Sequence, residues 1–368
     1  MPKKKNIFVL STSGFIIKHF FYDHLVKLSI DYNVTVLVPF SSFPEKNFNT
    51  NLFKLINFPI ERKISIINDI KSLFNLIYIL FKNRPNMIIS LGPKSGLIGG
   101  LSSCLVKTKI RVFIFQGQVW SNKVGLYRFL LLNVDKLICF LNNYLISVSH
   151  KEKFFLLKNN IGAFNKIKVI GRGSICGVDL DKFNTINTRN ISHKKNYFCF
   201  LFLGRFNKDK GVHDLVNAFI SLNMRIKNIR LSFVGIDECD LVKQAKNKNI
   251  KFFKYSSNVP KILKEHDCLI LPSYREGLPI SILEAFGSKV PVIGSNIYGI
   301  NSLIKHNETG LLFPAGNVEL LKKQMKRIIC NQVLVNKIVE NAYNHAKRYY
   351  NKTTVINNYQ NYFNRIIK

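Results

Sequence analysis

Short apolar runs recur along this chain with amphipathic stretches between them, and that rhythm limits the possible folds more than any other feature. In the first half the runs are Asn6–Leu10, Asn33–Val38, Met87–Ser90, Arg111–Phe115, Lys136–Phe140, Leu145–Val148 and Lys168–Ile170. Between them, Phe20–Leu28 and Ile70–Leu80 place apolar residues at three- and four-residue spacing. Strands that are apolar on both faces belong to parallel sheets covered by helices. Asp181–Asn196 is polar and reads as a linker. The rhythm then restarts with strands Phe198–Leu203, Arg230–Val234, Lys251–Phe253, Cys268–Leu271, Val290–Ile293 and Gly310–Phe313, and a helix from Val212. The expected fold class is α/β, two Rossmann-like doubly wound domains facing each other across a cleft. Residues 1–180 would bind one substrate and residues 197–345 another, joined by the linker 181–196. The helical tail, 346–368, would pack back on the first domain.

Charge narrows the company such a chain keeps. It carries 55 Lys and Arg against 21 Asp and Glu, a formal net charge of +34. Phosphorylated substrates, an anionic membrane face or nucleic acid would suit it. A coding bias toward Lys, Asn and Ile explains part of the excess. The seven cysteines show no Cys-x-x-Cys spacing, and several sit in strand-like runs, as small buried hydrophobes in a reducing compartment do. No signal peptide and no spanning helix are expected, because no apolar stretch approaches the required length of about 18 residues.

Two loops carry candidate chemistry. Phe198–Leu203 ends in Gly204-Arg205-Phe206, then Asp209-Lys210-Gly211 and a helix. Arg205 and Lys210 beside a helix amino terminus suit a diphosphate, although two cations also describe an ordinary solvated loop. The second loop lies within Leu271–Phe286, Leu-Pro-Ser-Tyr-Arg-Glu-Gly-Leu-Pro-Ile-Ser-Ile-Leu-Glu-Ala-Phe. Pro279 suits the first turn of a helix, leaving the amides of Gly277 and Leu278 free for an anion. Glu276 and Glu284 can accept hydrogen bonds from sugar hydroxyls, and equally fit a surface and a capping role.

Together these stretches resemble the retaining glycosyltransferases of the GT-B fold, family 4. The resemblance rests on Arg275-Glu276-Gly277-Leu278-Pro279 with Leu283-Glu284-Ala285, preceded by Gly204-Arg205 and Asp209-Lys210-Gly211. Gly177-Val178-Asp179, His266-Asp267, Pro272-Ser273 and Asn307-Glu308-Thr309-Gly310-Leu311-Leu312 follow the same order. It implies that Arg205 and Lys210 bind the donor diphosphate, Glu276 the transferred sugar and Glu284 the ribose. It also implies transfer with retention and without a metal, the departing phosphate helping to deprotonate the acceptor. Asp179-Leu180-Asp181 mimics the metal motif of another glycosyltransferase fold but sits inside the Gly-Val-Asp match.

On the first-half side, the resemblance implies that the loop at Gly14 faces donor phosphate or acceptor. Gly92–Gly99 and Gln116–Trp120 are similar to segments of bacterial enzymes that extend lipid-linked oligosaccharides, including N-acetylgalactosaminyltransferases acting on undecaprenyl-diphosphate sugars. Lys94 offers that diphosphate a cation, and Trp120 offers a flat face to sugar or lipid, unless it is a core residue. Many family members carry a His where this chain reads Ser90-Leu91-Gly92; His150 is the nearest alternative. Leu126–Lys158 interleaves Arg128, Lys136, Lys151, Lys153 and Lys158 with aromatic and aliphatic residues, as a surface lying on an anionic membrane does.

The expectation is therefore a UDP-sugar-dependent hexosyl- or N-acetylhexosaminyltransferase of surface polysaccharide or lipopolysaccharide O-antigen synthesis. It would be cytoplasmic and peripheral on the inner face of the membrane, with no metal cofactor. A GT-B nucleotide-sugar epimerase shares the fold. A nucleic-acid-binding protein shares the charge but would need a recognition motif, which is absent, so no nucleic-acid partner is expected. A two-carboxylate glycosidase does not explain the Arg205/Lys210 loop.

Overall fold

A computed structural model of the chain describes residues 4–42, 51–184 and 196–368. Among these residues two parallel sheets form. The first contains β1 (Asn6–Ser11), β2 (Asn33–Val38), β3 (Lys54–Asn57), β4 (Met87–Leu91), β5 (Ile110–Ile114), β6 (Tyr144–Ser147) and β7 (Ile167–Val169). The second contains β8 (Phe198–Leu203), β9 (Ile229–Val234), β10 (Ile250–Phe253), β11 (Cys268–Leu271), β12 (Val292–Ser295) and β13 (Leu311–Phe313). The central strands β4 and β11 are buried at every position, which is why their sequences show no polar alternation.

The strand orders are β3-β2-β1-β4-β5-β6-β7 and β10-β9-β8-β11-β12-β13. In each sheet the chain first winds outward one way, then crosses back and winds the other. The reversal falls between β1 and β4 in one sheet and between β8 and β11 in the other. Loops leaving the carboxyl ends of two such neighbours diverge to opposite faces, opening the crevice where doubly wound sheets bind ligands. The loops at Gly14, Gly92–Lys94, Gly204–Lys210 and Pro272–Pro279 all follow these four strands.

The chain divides into two compact units, Met1–Cys176 with Thr353–Lys368, and Gly177–Lys352. The division falls a few residues before the expected boundary at 180. Asp181–Asn184 belong to the helix Leu180–Asn184, and positions 185–195 of the expected linker lie outside the described residues. At the other end, the helix Gln332–Tyr349 runs on past 345. Tyr350 O accepts from Val178 N at 2.8 Å and Val178 O from Lys352 N at 2.9 Å. Those bonds hold both chain crossings to the second unit, and the helix Lys352–Ile367 belongs to the first from Thr353 onward.

Two strand assignments change. Lys136–Phe140 is the last turn of the helix Gly125–Leu141, with Ile138 and Cys139 buried and Leu137 and Phe140 exposed. Within five residues a helix that exposes apolar side chains is indistinguishable from a buried strand. Lys54–Asn57, a short half-polar edge strand, escapes the pattern altogether.

Candidate active site

β8 ends at Leu203, and the next residue, Gly204, adopts φ +150°. Gly235, at the end of β9, adopts φ +154°, and a Cβ there would overlap the Gly204 carbonyl oxygen. The two loops thus touch backbone to backbone, which only glycine permits. Phe206 then fastens the first loop. Its N–H donates to Ile236 O at 2.7 Å, and its buried ring packs among Phe202, Phe233 and Phe252 with centroids 5.6–6.1 Å away. Burial of a phenyl ring at about 1.5–3 kcal/mol makes this a firm anchor for Arg205 beside it. A 3₁₀ turn, Lys208–Lys210, leads to Gly211 at φ +65°, where a side chain would collide with the Pro272 carbonyl. That close approach brings the loop after β8 against the loop after β11.

Lys210 Nζ lies 2.6 Å from Glu276 Oε1, and Ser273 Oγ donates to the same oxygen at 2.8 Å. Two further bonds fix this loop pair. Arg275 Nη2 meets Asp209 Oδ2 at 3.0 Å, and Tyr274 N–H donates to Asp209 O at 2.8 Å. The Ser273 carbonyl accepts from Ser295 Oγ, and Gly299 packs so closely on the Glu276 carbonyl that a Cβ would overlap it. Glu276 is therefore set from both its backbone and its carboxylate. Among the described residues, no acceptor faces the amides of Gly277 and Leu278. Pro279 stands just outside the helix Ile280–Gly287 as its cap, not within the first turn.

Arg205 does not join Lys210. Its Nη1 contacts both carboxylate oxygens of Glu238, at 2.9 and 3.1 Å, and Asn207 Nδ2 donates to Glu238 at 2.8 Å. The two expected diphosphate ligands are each held by a different carboxylate. Glu284 sits on the second turn of its helix, and no described side chain hydrogen-bonds its carboxylate. Burial pushes it up to about 7, only partly opposed by the Lys182 ammonium.

In the first unit the candidates are less exposed than expected. Trp120 is 1% exposed, so it cannot offer a flat face to a ligand. Its indole N–H donates to Asp135 Oδ2 at 2.7 Å and its ring stacks on Phe155 at 5.2 Å. Lys94 is committed to Asp69 at 2.7 Å and to the Lys63 carbonyl. Gly14 is buried, and its N–H donates to Ser42 Oγ at 2.7 Å. His150 is exposed at the start of the helix His150–Lys158.

Several residues that matter here were not singled out in the sequence. Asn207 and Glu238 complete the Arg205 cluster, and Ser273, quoted only as part of a motif, completes that of Lys210. Glu152, fully buried, accepts from Gly117 N, Gln118 Nε2, Ser147 Oγ and Val148 N at 2.7–3.0 Å. One carboxylate thereby ties the loops after β5 and β6. The Ser149-x-x-Glu152 spacing, a helix-start signature, was the available signal; Ser149 Oγ does accept from Glu152 N at 3.0 Å.

Residues 184–345, which hold both cation clusters, match the family model for glycosyl transferases group 1. The chain is a GT-B glycosyltransferase. Its sequence is 26% identical over 321 residues to a capsular polysaccharide biosynthesis glycosyltransferase of Staphylococcus aureus, covering 84% of each chain. It is 28% identical to the Escherichia coli UDP-Gal:alpha-D-GlcNAc-diphosphoundecaprenol alpha-1,3-galactosyltransferase, covering 78% of this transferase and 79% of that one. A third relative is the Campylobacter jejuni N,N'-diacetylbacillosaminyl-diphospho-undecaprenol alpha-1,3-N-acetylgalactosaminyltransferase, 25% identical over 91% and 92% of the two chains. Among solved structures, the sucrose-phosphate synthase of Thermosynechococcus elongatus superposes with a TM-score of 0.82 at 17% identity, covering 99% of both chains.

Proposed function

We propose that this glycosyltransferase moves a hexosyl or N-acetylhexosaminyl group from a UDP-sugar, with retention, to a lipid-linked saccharide in surface polysaccharide synthesis. The observation that carries the reading is the Lys210–Glu276–Ser273 cluster, built on the switch-point loops of a group 1 domain. Named relatives that span most of the chain act on diphosphoundecaprenol-linked sugars, which supports an acceptor of that class. The family 4 resemblance supports retention.

On this reading the donor diphosphate takes over Arg205 and Lys210, with the amides of Gly277 and Leu278 completing the cradle. Glu238 and Glu276 hold those cations until the donor arrives. Once released, Glu276 accepts hydrogen bonds from the sugar hydroxyls, and Glu284 receives the ribose. The charge that develops on the leaving diphosphate meets fixed cations and amides that need no reorganisation. Leaving-group oxygen and acceptor hydroxyl share one face of the sugar, so the protein supplies position and charge in place of a nucleophile. No metal is required. The acceptor draws the enzyme to the inner face of the cytoplasmic membrane; no helix among the described residues is long and apolar enough to cross it.

A donor screen tests the proposal. Purified protein is given a panel of nucleotide sugars with a polyprenyl-diphosphate-sugar acceptor, and released nucleoside diphosphate and product anomer are measured. UDP release with an α-linked product is expected. An inverted product, or no transfer from any nucleotide sugar, would overturn it.

A further inference from the structure

The helices Ile66–Asn83, Pro93–Leu105 and Gly125–Leu141 form one layer on the first sheet: the middle helix packs against both neighbours and on β4 and β5. Their inner sides bury Leu76, Leu80, Ile98 and Ile138. The outer sides of such helices are ordinarily polar. Here they are not. Ile70, Phe74, Tyr78 and Phe81 follow at helical spacing along one outer helix, all exposed, Phe74 by 65%. Leu126, Phe129, Leu137 and Phe140 repeat the pattern on the other, with Phe140 80% exposed. Exposed apolar residues repeated along one side of two helices of the same layer mark a docking face, whereas singly scattered ones do not.

The charges around it are of one sign. From Arg62 to Lys136 the chain has 12 Lys and Arg and only two carboxylates, Asp69 and Asp135. Asp69 is spent on Lys94 and Asp135 is buried against Trp120. Lys71, Lys82, Lys107 and Lys136 remain exposed around the apolar stripes. A second copy of the chain would set these cations against one another across an isologous contact. An anionic bilayer fits both features at once.

We infer that this three-helix face seats on an anionic lipid bilayer, with the aromatic stripes at the acyl boundary and the lysines against headgroup phosphates. The inference rests on the proposed lipid-linked acceptor for its biological sense, and on the face alone for its geometry. It extends the basic segment Leu126–Lys158 to a helix 60 residues earlier in the sequence, Ile66–Asn83, which the charge pattern alone did not include.

Flotation of the full-length protein with phosphatidylglycerol/phosphatidylcholine vesicles, against phosphatidylcholine alone, tests it. The wild type should float with the anionic vesicles. Phe74→Ser with Phe81→Ser, Phe129→Ser and Phe140→Ser should weaken binding by more than ~100-fold. Lys71→Glu with Lys82→Glu and Lys136→Glu should weaken it roughly fivefold or more per cation, and keeps the test open should the first variant misfold. Both variants should turn over a short-chain, water-soluble acceptor at the wild-type rate and lose activity on the same sugar embedded in vesicles. Variants that float like the wild type would overturn the inference. So would a wild type that ignores anionic vesicles, or a wild-type dimer that the four-serine variant dissolves. Vesicle binding without sugar transfer to any lipid-linked acceptor would support the face and refute the proposed function.

Discussion

Glu276→Gln should tighten the binding of UDP while slowing sugar transfer. Glu276 neutralises Lys210 across 2.6 Å, with side chains 11% and 22% exposed. At an effective dielectric of about 20, that separation corresponds to a gross attraction of ~6 kcal/mol. Desolvation of the two ions offsets most of it, and partial exposure screens the rest, leaving a net ~1–2 kcal/mol. A diphosphate that claims Lys210 must outcompete that amount. Gln preserves the size of the side chain and still accepts from Ser273 Oγ, so the loop should hold its shape. UDP affinity should then rise roughly 5- to 30-fold, and uridine affinity should not change. Titration calorimetry of wild type, Glu276→Gln, Lys210→Ala and the double variant reads this directly. In the Lys210→Ala background the Gln substitution should have no effect on UDP, because the pair it disrupts is already gone. An equal gain with and without Lys210, or a loss of UDP affinity, would refute the competition between carboxylate and diphosphate.

Other outcomes follow from the same geometry. Arg205→Ala with Lys210→Ala should weaken UDP far more than uridine in the same calorimeter; equal losses would remove the diphosphate role. Glu276→Ala should abolish transfer while the protein stays folded, its melting temperature lowered only by the few degrees that loss of the Lys210 pair costs; normal turnover would remove its sugar role. Transfer should survive EDTA, and strict dependence on a divalent ion would contradict the proposed metal-free mechanism. Gly211→Ala should cost about 2–3 kcal/mol in urea unfolding, since its φ is left-handed and the Pro272 carbonyl blocks a side chain. Asp135 is pushed up to about 7 by burial, reinforced by the nearby Glu152 carboxylate and opposed by the Trp120 hydrogen bond. Its protonated form favours the folded state, so its contribution is complete below the ordinary carboxylate range near pH 4 and is lost as pH rises toward 7. Asp135→Asn should flatten the fall in melting temperature over that window, and an unaltered pH profile would count against the assignment.

Much of the architecture could be read from the chain because buried parallel strands leave continuous apolar runs. Phe198–Leu203 and Cys268–Leu271 were bounded correctly for that reason. Lys136–Phe140 failed because its exposed Leu137 and Phe140 imitate a buried strand, and the surface they form is a property of neighbouring helices. The site loops were legible as motifs, while their pairing was not. Lys210 and Glu276 are 66 positions apart, and Arg205 and Glu238 33 apart. Only the packing of Gly211 on Pro272, and of Gly235 on Gly204, decides which carboxylate each cation meets. Trp120 was open to two readings because an indole serves a core as well as a binding face; the buried Asp135 beside it decides the matter.

The return of residues 353–368 to the first unit has a consequence for how the molecule is made. A ribosome emits the first 176 residues, then the whole of Gly177–Lys352, and only then the helix that completes the earlier unit. At 5–20 residues per second the wait is roughly 9–35 seconds. During it, the seat of Tyr359 beside His24 and under the Ser174 carbonyl stands empty, with apolar surface bare. The second unit can finish folding as it emerges, while the first, though begun earlier, is finished last. Closure of the amino-terminal core thus waits until every residue of the second unit has been made.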